Sequence, residues 1–123
     1  MTSNGVVRRM VGEISRLGSV LPFVWFLGVL SFYLRAKVYL GYWPKPSFPD
    51  PKLLPFEFHH WIFMMAVFPL FLTIVVLPIA WLVESKTFQV RIRGYVVTYM
   101  SGWLLIGSTF AIGGIDFVRW FLD

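Results

Sequence analysis

Apolar residues run almost unbroken through three stretches of this chain, roughly Leu21–Val38, Trp61–Val83 and Val96–Ile115. A half-buried strand alternates apolar with polar positions, and a helix of a soluble domain keeps one polar face. These stretches do neither. A helix that crosses a bilayer needs about 20 mainly apolar residues. The pattern therefore predicts an all-α integral membrane protein, one domain over residues 1–123, with three spans at 21–43, 61–83 and 96–115.

Ahead of the first span, Val6, Val7, Met10, Val11, Ile14 and Leu17 recur at three- and four-residue spacing, with Arg8, Arg9, Glu13 and Arg16 opposite. Residues 6–17 are thus expected to form an amphipathic helix, too polar to span, lying in the interface with its arginines on headgroups. Docking on a partner protein fits the same pattern. The first span is clean to Leu34, after which come Arg35 and Lys37. Continuation to Trp43 is preferred, because Val38, Tyr39, Leu40, Tyr42 and Trp43 suit an open loop poorly and both cations can snorkel outward. No small-x-small cleavage pattern follows the run, so the span is expected to be retained as an anchor.

Residues 44–58 hold Pro44, Pro46, Pro49, Pro51 and Pro55, which remove backbone donors and exclude helix and sheet. The interleaved Phe48, Leu53, Leu54, Phe56 and Phe58 are too apolar for a disordered linker. An ordered cap on the membrane surface is expected. Pro69 and Pro78 should each bend the second span. The basic loop 84–94 alternates Phe88, Val90 and Ile92 with Gln89, Arg91 and Arg93, which predicts an extended interfacial segment or an edge that pairs with another subunit. On the third span, Gly107, Ala111 and Gly114 share one face. Small residues let membrane helices approach closely, so this face should pack, on the chain's own spans or on another subunit.

Composition supports the membrane reading. The chain is 58% hydrophobic and 14% charged, against about 25% charged in soluble proteins, too few charges to cover a water-facing surface. Tyr42, Trp43, Trp61, Trp81 and Tyr95 fall at span ends, where a half-wet ring is favourable. The net charge of +5 comes from residues at span ends, so anionic headgroups rather than nucleic acid are the expected partner. Arg8, Arg9, Arg16, Arg91 and Arg93 are assigned to headgroup contacts. The absence of cysteine excludes disulfides, thiolate metal ligands and Cys nucleophiles. Three spans place the N-terminus and the second loop together. Their side holds Arg8, Arg9, Arg16, Lys86, Arg91 and Arg93, against Arg35, Lys37, Lys45, Lys52 and Arg119. This narrow balance, with the basic start and the proline-rich first loop, favours a bacterial inner membrane with the N-terminus cytoplasmic and the C-terminus outside.

At the opposite level the three spans gather Arg35, Lys37, Glu57, His59, His60, Asp116 and Arg119. Ionisable groups at membrane depth point to a function or a partner. Helix anchoring and interhelical pairing, such as Arg35 with Asp116 or Glu57, account for the same residues more simply. Adjacent helical residues point about 100° apart, so His59 and His60 cannot clasp one haem iron from both sides. No metal site or resident cofactor is expected; a single histidine, His59 or His60, as axial ligand to a haem or pigment is the alternative. No phosphate loop or nucleophile elbow occurs. The expected function is non-enzymatic: a small polytopic protein working by contact with other membrane-protein subunits, as accessory or assembly subunit of a larger membrane complex. The rival readings are an immunity-type protein that neutralises a membrane-active toxin, a pigment- or haem-bearing subunit, and a homo-oligomeric channel.

Overall fold

The computed structural model describes residues 3–88, 91–112 and 117–123, and within them the chain is helical with no strand. Helix α1 runs unbroken over Ser3–Leu40. The amphipathic segment 6–17 and the first span, expected as two elements, are therefore one rod of 38 residues. Small residues explain the continuity. Ser15 and Ser19 are buried, the Ser19 hydroxyl donates to the Ser15 carbonyl, and the helix that carries Leu77 packs close at Gly18, where a Cβ would lie 2.6 Å from the Leu77 side chain. Tertiary contact thus carries the helix across its Gly-Ser step and past Pro22. The helix also passes Arg35 and Lys37, then stops three residues short of Trp43. Gly41 ends it in the left-handed region, at φ 78°, with its N–H on the Lys37 carbonyl at 2.9 Å.

The proline-rich segment is folded. Lys45 and Phe48 exchange backbone hydrogen bonds of 2.9 Å, and Asp50 caps a 3₁₀ turn over Pro51–Leu53 by accepting from Lys52 N–H. Leu54 and Phe56 are buried beneath it.

Helices α2 (Glu57–Met65) and α3 (Val67–Thr87) follow as one path interrupted at Ala66. Pro69 has no N–H for the Met65 carbonyl, and it sits in the first turn of α3, where proline is tolerated. Pro78 lies inside α3 without interrupting it, so the helical path breaks just ahead of one proline and continues through the other. The strand-like alternation over 88–93 forms no strand among the described residues. Helix α3 continues through Thr87, Gln89 and Val90 lie outside the described residues, and α4 (Arg93–Ala111) begins directly after Ile92. A short helix α5 (Phe117–Leu122) closes the described chain.

Among the described residues, two helical paths are long and apolar enough to cross a membrane: Ser3–Leu40 and Glu57–Thr87. Helix α1 is the spine, with α3 and α4 packed along it and α2 and α5 against its second half. Two close approaches fix that packing. A Cβ on Gly28 would lie 1.8 Å from the Phe63 ring, and one on Gly102 would lie 2.7 Å from Pro22 Cβ. The main core joins Trp25, Val29 and Phe32 of α1 to Phe117, Val118, Trp120 and Phe121 of α5. A smaller one joins Leu77 and Trp81 to Tyr99. Between α3 and α4, the Thr73 and Tyr99 hydroxyls share a buried hydrogen bond of 2.8 Å.

Candidate functional site

Titratable residues collect at both ends of the helix bundle, with different consequences. At the end that holds the proline-rich cap, aromatic rings dominate. Phe32 lies at the centre, stacked on Trp120 at 5.5 Å between ring centres and meeting Phe56, His59 and Phe121 edge-on. Helix α5 is held beneath the cap by polar ties. Trp120 Nε1 donates to the Pro49 carbonyl at 2.7 Å, and the Ser47 hydroxyl and Lys52 Nζ both bond to Asp123, at 3.0 and 3.1 Å. Tyr33 donates to the Pro44 carbonyl at 3.1 Å.

His60 is fully buried, and its Nε2 lies 3.0 Å from the Phe121 carbonyl. A carbonyl only accepts, so Nε2 carries the proton. Nδ1 has no hydrogen-bond partner among the described residues. His59 is half-buried, with Nε2 at 3.2 Å from the Ser31 hydroxyl. His60 is thus enclosed in the packing of α1, α2 and α5, while His59 lies part-exposed between α1 and α2. Among the described residues, no group of three His, Cys, Asp or Glu side chains could hold a metal ion.

The cations expected beside these histidines take aromatic partners. The Arg35 guanidinium lies 4.5 Å from the centre of the Phe56 ring, and Lys37 Nζ lies 4.8 Å from that of Trp43. Such contacts contribute about 0.5–1 kcal/mol at exposed sites. Glu57 and Arg119 are exposed, and no ion pair joins Arg35, Lys37, Glu57 or Arg119 among the described residues. Asp116 lies outside them.

The opposite end is built differently. Arg8, Arg9 and Arg16 are exposed on α1, with Arg16 3.3 Å from Glu13 and Arg8 over the Phe88 ring at 5.8 Å. Arg91 and Arg93 are also exposed. Glu84, on the last turn of α3, is buried against Gly12 of α1. Among the described residues its Oε2 lacks a hydrogen-bond partner, as do the buried Ser15 Oγ and Trp81 Nε1 within one turn of this level. Leaving a buried polar group unpaired costs about 1–3 kcal/mol, and more for a charged one. The sequence marks Glu84 only as the acid that ends an apolar run. Its burial follows from Gly12, which lets the two helices close over it. Helix α5 also goes unpredicted; the aromatic density of Phe117, Trp120 and Phe121 is the signal that points to it.

On α4, Gly107 and Ala111 face away from the other helices. A Cβ at Gly107 meets nothing within 4 Å among the described residues, and the two residues line an open hollow of about 400 Å³ with Trp103 and Leu104. Gly114 lies outside the described residues. The close approach within the chain is made by Gly102 instead.

No protein-family model, curated protein or solved structure matches this chain.

Proposed function

We propose that this chain is a small integral membrane protein that works by contact, without catalysis, as an accessory or assembly subunit of a larger membrane complex. Helix α4 is its third span, and the arginine-rich start of α1 leaves the bilayer at the headgroup level. The outward residues of the helices support a lipid setting: Leu27, Phe68, Val75, Ile79 and Leu104 are each more than half exposed. Water would be a costly neighbour for them, at about 25 cal/mol per Å² of apolar surface.

The observation that carries the contact reading is the open face of Gly107 and Ala111. Gly28 and Gly102 have no room for a methyl group, because another part of the chain fills the space. Gly107 has that space empty among the described residues, bordered by the side chains of Trp103 and Leu104. A helix of another subunit fits such a hollow by close backbone approach. The protein belongs to a bacterial inner membrane, with the start of α1 on the cytoplasmic side.

Purification from native membranes in mild detergent tests this. The chain should travel in a particle well above its own 14.3 kDa, accompanied by different membrane subunits. A monodisperse lone protomer overturns the reading.

A further inference from the structure

Where α1, α3 and α4 meet, the fold forms an open cavity of about 430 Å³ whose lining includes Arg8, Arg9, Glu13, Arg16, Glu84 and Tyr95. Its charges are unevenly matched. Arg16 pairs with Glu13, but no ion pair among the described residues reaches Glu84, which is 4% exposed with Oε2 unpartnered. A carboxylate so enclosed requires a cation or an N–H donor. Arg8 and Arg9 line the same cavity with no ion pair among the described residues, and guanidinium geometry matches phosphate. One ligand satisfies both when it carries a phosphate next to a primary ammonium.

A second open cavity, of about 390 Å³, is almost wholly apolar. It follows the seam of α1 and α3, bounded by Ile14, Leu17, Leu72 and Val76, and Glu13 borders both cavities. The contacts of Gly12 with Glu84 and of Gly18 with Leu77 set the direction of the seam. It leads from the charged level into the apolar length of the two helices, ending near Leu21 and Pro69.

We infer that these cavities form one binding site for an aminophospholipid, its phosphate on Arg8 and Arg9, its ammonium on Glu84 and an acyl chain along the α1–α3 seam. The inference rests on the membrane reading above and not on any partner subunit.

Native mass spectrometry of the full chain in detergent, with phosphatidylethanolamine, phosphatidylcholine or phosphatidylglycerol added in turn, tests it. One phosphatidylethanolamine should be retained about tenfold more strongly than the other two, of which one lacks N–H donors and the other lacks a cation. Glu84→Gln should abolish this preference, and Arg8→Gln with Arg9→Gln should weaken all three lipids. Equal retention of the three by the unaltered chain overturns the inference without any variant. Glycerophosphoethanolamine, the same headgroup without acyl chains, should compete poorly; competition equal to that of the lipid overturns the lipid assignment. Recovery of the chain in the aqueous fraction without detergent overturns the membrane reading instead.

Discussion

Gly28 and Gly107 make the sharpest contrast between single residues. At Gly28 an added methyl group runs into the Phe63 ring, whose own backbone carbonyl accepts from Trp25 Nε1 at 2.9 Å. That bond holds the α2 backbone against α1, and the ring itself packs against the main core. Gly28→Ala should therefore cost about 1–3 kcal/mol, in the range of overpacked cores. Gly107→Ala should change stability by no more than about 0.5 kcal/mol, as surface substitutions do. Thermal unfolding in detergent checks both. His60 is a second such position. Replacing it by Leu leaves the Phe121 carbonyl without its donor, at a cost of about 1–3 kcal/mol. The same melting series reads this loss, which should be close to nil for Glu57→Gln on the exposed side of α2.

Among the elements, the proline-rich cap and α5 depend on each other. The cap supplies the Pro49 carbonyl and Ser47, and α5 supplies Trp120 and leads into Asp123. Removing residues 117–123 takes away both ties and the ring stacked on Phe32. Limited trypsin digestion should then cut after Lys52 well before it does so in the full chain, since Lys52 Nζ is itself tied to Asp123. Equal cutting rates contradict this dependence. These elements also show what patterning conveys and what it does not. Long apolar runs mark helices by length alone, so the bodies of α1, α3 and α4 were legible. The cap was legible as ordered because apolar residues sit between its prolines. The union of residues 6–17 with the first span was hidden, because Gly18 and Ser19 read as a break until Leu77 is seen packed against them. The partners of Arg35 and Lys37 were hidden for a related reason: a ring competes with a carboxylate only when the fold brings Phe56 and Trp43 alongside. Glu84 was hidden because its burial depends on a glycine 72 positions earlier in the chain.

For the whole molecule, the account is one of a bundle with charged ends and an apolar outer wall. Alkaline carbonate washing should leave the chain in the membrane pellet, and release into the supernatant contradicts an integral location. A reporter active only in the cytoplasm should be silent when fused after Asp123 and active when fused before Met1; the reverse pattern inverts the proposed orientation. The central claim is that the α4 face at Gly107 and Ala111 meets another subunit. The most direct measurement places a photo-crosslinking residue at Ala111 and irradiates cells that contain the full chain. The account predicts a discrete adduct to a different membrane protein, absent when the crosslinker stands at Lys45 on the cap. Capture of lipid alone, or of a second copy of this chain alone, contradicts it.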